Sequence, residues 1–255
     1  MIKFFRHIRQ SLIMKNQTGK YLKYAVGEII LVVIGILIAL QINNWNTERL
    51  DSSKEREYLT NLIEDIKVQQ LLVDAQINHE KKMKLQCEKA LGHLNSTSIN
   101  ADSINIYLTT ITRKSFVVND PTFQDLKSSG NILLIKKTEL RKKILEFYQY
   151  LNYSTLVVQT GNEKSISEFR DFLIKNAIVD IIKVAGGVDW SLKSIDFPWA
   201  KQLQEDKLKD NGFLFMVLNH VAQRGRTSAV HLDLMQRMEK RITTMKSEIE
   251  NYLNL

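Results

Sequence analysis

Histidine and cysteine are the side chains that most often act as metal ligands, general bases or nucleophiles. The chain has five histidines and one cysteine. His79 and His93 are 14 residues apart, and His220 and His231 are 11 apart across a glycine. Neither pair has the usual spacing of metal ligands. We therefore predict satisfied or solvated histidines, with no metal and no cofactor.

The single cysteine, Cys87, lies in the helical context "KLQCEKAL". This context favours a small buried hydrophobe over a nucleophile, and one cysteine excludes an intramolecular disulfide. The sequence has no glycine-rich phosphate loop, no H-E-x-x-H, no cysteine pair and no G-x-S-x-G. We predict no catalytic residue and no enzyme activity.

One carboxylate, Glu28, lies in the apolar stretch "YAVGEIILVVIGILIALQINNW". The 18 residues 25–42 contain no other charge, and Tyr24 and Trp45 flank them at the spacing of two headgroup interfaces. A cleaved signal peptide is the rival interpretation, but no A-x-A-like site follows the run. We predict an uncleaved signal anchor with a transmembrane helix over 25–45.

Charge predicts the orientation of this anchor. Residues 1–24 carry six basic and no acidic side chains, and residues 2–14 have the pattern of a basic amphipathic helix. Basic segments stay on the cytoplasmic side. We therefore expect a single-pass protein of the inner membrane with a cytoplasmic N-terminus and a periplasmic domain over 46–255.

Glu28 lies one turn inside the span, and two roles are possible for its side chain at this depth. It can be an interfacial carboxylate that reaches the headgroups, or a contact to another membrane protein. Gly35 and Ala39 form a small-xxx-small pair, a pattern that lets two helices approach closely. Glu28, Gly35 and Ala39 are the predicted helix–helix contacts in the membrane.

The net charge of +8 suggests a nucleic-acid partner at first sight. Once residues 1–24 and Glu28 are removed, 30 basic and 27 acidic residues remain, which is +3 for residues 46–255. The basic character therefore marks membrane orientation and attraction to the lipid bilayer, and no nucleic-acid partner is predicted.

Hydrophobic spacing predicts an all-α chain: an N-terminal amphipathic helix, one transmembrane helix, then an antiparallel bundle of long helices. No Gly or Pro occurs from Ile36 to Leu91, so one long helix is expected, with a capping box at "SSKE" (52–55) as the alternative break. Residues 103–118 fit a helix or a strand, and we favour the helix. A short helix is expected between Pro121 and Gly130.

A long helix is predicted to open at Thr138 and to continue past Gly161 to about Val184. Residues 186–210 read as a loop-like insert. The last segment reads as two helices broken near Gly225 or as one kinked helix, with a heptad seam. The seam comprises Met238, Ile242, Met245, Ile249 and Tyr252.

Two regions are candidate contacts for a protein partner. The stretch "PTFQDLKSSGNILLIKKTELRKKI" (121–144) is either an ordinary corner between helices or a recognition surface at the membrane-distal or lateral side, with Phe123 and Lys127 as contacts. Trp190 and Trp199, in the insert, are either interface anchors or core residues.

The motifs "MIKFFRHIRQ", "KYAVGEIILVVIGILIALQINNWN" and "FQDLKSSGNILLIKKTELRKKI" resemble a family of single-pass membrane proteins from Bacteroidetes-type bacteria, a domain of unknown function. The resemblance implies a Gram-negative inner-membrane location and a helical periplasmic domain. It implies no catalytic residues.

Two functions are favoured by this pattern. The first is a membrane-anchored periplasmic scaffold or adaptor that binds a protein partner or a second copy of itself. The alternative is a sensory or ligand-binding module that signals through a membrane partner, since helical bundles serve receptors in that way.

Overall fold

The computed structural model describes residues 18–96, 99, 112–176 and 198–254. Within these ranges the chain is helical and contains no strand, which confirms the predicted all-α class. The predicted amphipathic helix over 2–14 lies outside the described residues. The chain divides into two compact units, Met1–Glu57 and Tyr58–Leu255, which are described separately.

Helix α1 spans Thr18–Leu94. The long helix predicted here is confirmed, and the alternative break at 52–55 does not occur. Ser52 Oγ donates to the Glu48 carbonyl 2.7 Å away, one helical turn earlier. In the first unit the apolar side chains of α1 are exposed. Among the described residues, α1 is the one helix that is long and apolar enough to cross a membrane, judged by length and composition. Its apolar window has a mean hydropathy of 2.6 and is not buried within the protein.

The second unit holds the other elements. In chain order they are α2 (Pro121–Ser128), a 3₁₀ turn (Asn131–Leu134), α3 (Thr138–Gly161), a π-helical segment (Asn162–Ser167), α4 (Glu168–Lys175), α5 (Pro198–Lys207) and α6 (Asn211–Leu253).

One sequence prediction needs correction here, and one open alternative is decided. The loop predicted over 186–210 is wrong for α5, where Pro198 occupies a first-turn position and good helix formers follow; residues 186–197 are outside the described ranges. Of the two alternatives for the C-terminal segment, the single helix is present, because α6 continues through Gly225. A Cβ at Gly225 would lie 3.4 Å from Cys87 Cβ.

The preference for helix over 103–118 is wrong for residues 112–118, which have no regular structure; residues 103–111 are outside the described ranges. Side chains from the helices bond to this segment instead. Asn162 Nδ2 donates to the Lys114 carbonyl at 3.0 Å, and Gln69 Oε1 accepts from the amide of Asn119, the residue after the segment, at 2.7 Å. Phe116 is buried, so the segment is packed into the core.

Contacts between α3 and α6 show that these helices run in opposite directions. Lys143 and Glu248 form an ion pair of 2.7 Å near the start of α3 and the end of α6, while Gly161 contacts His231 at the end of α3. The larger apolar cluster joins α1, α2, α3 and α6, and it includes four of the five predicted seam residues. These four are Met238, Ile242, Met245 and Ile249; Tyr252 is half-buried.

Candidate functional site

Polar side chains occupy buried positions of α1. Gln69, Gln76 and Glu80 follow one another at spacings of seven and four, in register with the apolar residues Ile66 and Val73 on the same face. The side-chain exposure of Glu80 is 0%. A helix packed against neighbours on this face must therefore satisfy two amides and a carboxylate in its interior.

Helix α6 supplies the complementary groups. Arg224, Ser228 and His231 are spaced four and three residues apart, so they share one helix face. All three are buried between the apolar residues Val221 and Met235 of the same face.

The carboxylate of Glu80 is bonded through both oxygens. Oε1 accepts from Gln76 Nε2 at 2.8 Å and lies 3.2 Å from His231 Nδ1. Oε2 lies 3.4 Å from Arg224 Nη1 and 3.5 Å from Nη2. Arg224 also donates from Nη1 to Ser228 Oγ and from Nη2 to the Thr112 carbonyl at 3.0 Å. These residues (Gln76, Glu80, Thr112, Arg224, Ser228 and His231) form the polar network.

The electrostatics favour a charged pair. Burial raises the pKa of Glu80, but the hydrogen bond from His231 and the positive charge of Arg224 together outweigh it. The pKa of Glu80 therefore lies below its ordinary value. Two atoms of the network, Gln76 Oε1 and Arg224 Nε, have no hydrogen-bond partner among the residues that the structure describes.

Beside Glu80, the pKa of His79 lies below its ordinary value. Burial is the main cause that lowers its pKa; Glu80 opposes this, while Arg224 adds to it. The Nε2 atom of His79 is buried and lacks a partner within the described part of the chain.

Gly161 lets α3 approach the network closely. A Cβ at this position would lie 2.5 Å from His231 Nε2 and 3.2 Å from Thr227 Cγ2. Directly after it, the chain widens into the π-helical segment, where Ser165 Oγ and Thr227 Oγ1 lie 2.8 Å apart. Local π-helical geometry often accompanies functional sites, and here it adjoins the polar network.

The network can fix the register of the helices that contribute to it. A buried charged pair adds little net stability over apolar packing, but it penalises every arrangement that separates the charges. No group of three or more His, Cys, Asp or Glu residues that could hold a metal occurs in the described ranges. A surface pocket of about 390 Å³ lies elsewhere, between the start of α3 and the end of α6, with Lys137 and Tyr252 in its lining.

The three residues predicted to contact another helix in the membrane belong to the first unit. Glu28 is half-buried, and Ala39 is exposed. Nothing within 4 Å would meet a Cβ at Gly35.

The four predicted partner contacts fall in different environments. Phe123 is buried and its ring stacks on Tyr148 with 4.0 Å between centroids, so it packs in the core, whereas Lys127 is exposed. Trp199 is 69% exposed. Trp190 lies outside the described residues.

Two features were missed by sequence reasoning. The first is the polar network. The signal that could have revealed it is the polar residues that interrupt the apolar stripes of α1 and α6. The other feature is a set of exposed apolar side chains, called the α5–α6 surface below. It comprises Trp199, Leu203, Phe215, Met216 and Leu218. Met235, Met238 and Met245 of α6 are buried, whereas Met216 is 47% exposed.

Comparison with known proteins gives a family. The model of the family of unknown function DUF6090 matches residues 28–175, which is more than half of the chain. The chain therefore belongs to that family. Neither a curated protein nor a solved structure matches it significantly.

Proposed function

We propose that this member of a family of unknown function is a membrane-anchored helical scaffold or adaptor that binds a protein partner and catalyses no reaction. A single span over 25–45 anchors it in the inner membrane of a Gram-negative bacterium. Residues 1–24 are cytoplasmic, and residues 46–255 form a periplasmic antiparallel bundle. The apolar character of α1 and the six basic residues ahead of it support this topology.

The observation that carries the proposal of partner binding is the α5–α6 surface. Trp199 and Phe215 are 69% and 63% exposed. Leu218 lies one turn from Phe215 on α6, and exposed large apolar side chains that neighbour one another commonly mark interfaces. Aromatic residues and methionine are also enriched at interface cores.

Helix register supports the interpretation of this surface as a binding face. Phe213 and Val217 of α6 are buried in the smaller apolar cluster, while Phe215 and Leu218 point the other way. Lys207 at the end of α5 lies over the Phe213 ring at 5.9 Å, so the two helices adjoin at this end. Phe215 and Leu218 therefore lie on the outward face of a helix whose opposite face is packed.

Site-specific photo-crosslinking in living cells tests the proposal. A photoreactive residue at Phe215 of the full chain should give one discrete protein adduct. The matched control is Leu156, which is 61% exposed on α3 and should give none. The adduct should disappear in Trp199→Ser, with the helix content by circular dichroism unchanged. Equal adducts at both positions, or none at Phe215, would contradict the proposal.

The polar network favours one alternative, a sensory module whose state depends on a bound small molecule. Its unpartnered atoms, Gln76 Oε1 and Arg224 Nε, are groups that a polar ligand or water would satisfy. Stoichiometric binding of a small molecule in calorimetry, lost in Arg224→Met, would favour this function over the adaptor.

A further inference from the structure

The turn between α2 and α3 displays an apolar side chain to solvent. Leu133 is 72% exposed, which is more than any other large apolar side chain in the described residues. The next residue but one, Ile135, is fully buried in the core. The outward position of Leu133 is therefore set by a packed turn.

Basic side chains surround this turn in the sequence. Residues 121–143 contain six basic and two acidic residues, so the segment carries +4. Lys127, Lys136 and Lys137 are exposed. One of the two acids, Asp125, accepts a hydrogen bond from Tyr58 at 2.7 Å and is therefore engaged with α1. An exposed leucine among lysines is the pattern of a surface that binds anionic lipid.

The turn is tied to the start of the second unit. Asn131 Nδ2 donates to Tyr58 Oη at 2.8 Å, on the same hydroxyl that bonds Asp125. Arg141 Nη1 donates to the Ile135 carbonyl at 3.0 Å. The turn is thus held near Tyr58, the first residue of this unit.

A short stretch of chain connects Tyr58 to the proposed span. From Trp45 to Tyr58 there are 13 residue steps (58 − 45). Because these residues belong to α1, they cover about 20 Å. A connection of only 13 residue steps therefore joins this turn to the proposed span.

We propose that residues 127–137 form a membrane-contacting corner, in which Leu133 enters the headgroup region of an anionic bilayer and the three lysines bind lipid phosphates. This inference rests on the membrane anchoring proposed above. It assigns the corner to a lipid surface and leaves the α5–α6 surface for the protein partner.

Electron paramagnetic resonance on the full chain in vesicles tests the corner. A spin label at Leu133→Cys is compared with one at Leu156→Cys, and the buried Cys87 is not reached by the reagent. In vesicles of phosphatidylethanolamine and phosphatidylglycerol, the label at 133 should be accessible to oxygen and protected from a water-soluble nickel complex. The label at 156 should be accessible to nickel. Replacing Lys127, Lys136 and Lys137 with glutamine should raise the nickel accessibility at 133 several-fold.

A third label tests the membrane anchoring separately from the lipid contact of the corner. Ile34→Cys lies in the apolar segment and should be deep in the bilayer. If Ile34 is deep while Leu133 is as accessible to nickel as Leu156, the corner proposal alone is overturned. If Ile34 is also in water, the anchoring fails. A label at 133 that is immobilised in native membranes and mobile in the lipid vesicles would assign the corner to a protein and overturn the lipid contact.

Discussion

Arg224 and Glu80 are 144 positions apart in the chain, yet Arg224 Nη1 lies 3.4 Å from Glu80 Oε2 and both side chains are fully buried. Removal of one partner leaves the other charge buried without its counter-ion. Arg224→Met or Glu80→Leu should therefore lower the free energy of unfolding by about 3–5 kcal/mol. Denaturant titration followed by circular dichroism measures this loss.

The double variant distinguishes a charge effect from a packing effect. When both charged groups are replaced by apolar residues, the loss should be clearly smaller than the sum of the two single losses. The control is the exposed pair Arg237–Asp233, whose removal should change stability little. An additive double variant would show that the two charges do not interact.

Gly161 and His231 provide a second test of the same region. An alanine Cβ at Gly161 would displace His231 and disturb its contact with Glu80, so Gly161→Ala should cost about 1–3 kcal/mol. The matched control is Gly92→Ala, where nothing lies within 4 Å of the added atom and no loss is expected. A loss at Gly92 and none at Gly161 would contradict the packing described here.

Sequence periodicity was sufficient for the helices that are built from local signals. The run without Gly or Pro from Ile36 to Leu91 predicted α1, and Pro121 and Gly130 correctly bracketed α2, with Gly130 at a positive φ of 76° after it. Periodicity could not pair Glu80 with Arg224, because charged residues are assigned to solvent by default and the pairing depends on tertiary contacts. The same limit applies to residues 112–118, whose backbone is bonded to side chains far away in the sequence.

His79 should give the folded protein a stability that depends on pH. Its pKa is lowered from the ordinary 6.5, chiefly by burial. As the pH falls below about 6.5, the unfolded chain binds a proton that the folded chain does not yet bind, so stability falls. The stability that His79 contributes is fully present above about pH 6.5. The pKa of Glu80 is lowered from 4.5, so its contribution is lost only at lower pH.

Replacing His79 with glutamine should flatten the dependence of the denaturation midpoint on pH between about pH 7 and pH 5. The pKa of His220 is also lowered, again mainly by burial. The protein with His79 and the His79→Gln variant are therefore both measured in a His220→Gln background. An unchanged slope in the His79 variant would show that this side chain does not titrate differently on folding.

Gly35 tests association within the membrane. Its open surroundings leave room for a second helix, and a larger side chain should prevent close approach. Gly35→Leu should reduce the signal of the full chain in a membrane two-hybrid assay. Val33→Leu, on the opposite side of the helix, should not. Equal signals for the two variants would argue against contact through Gly35 and Ala39.

Topology is the claim on which both the adaptor function and the membrane-contacting corner depend. The measurement is a pair of reporter fusions after Leu255, one active only in the periplasm and the other only in the cytoplasm, with membrane fractionation of each fusion. We predict activity of the periplasmic reporter alone, on a full-length chain that stays in the membrane fraction. Activity of the cytoplasmic reporter at Leu255, or a shortened chain released from the membrane, would contradict the account.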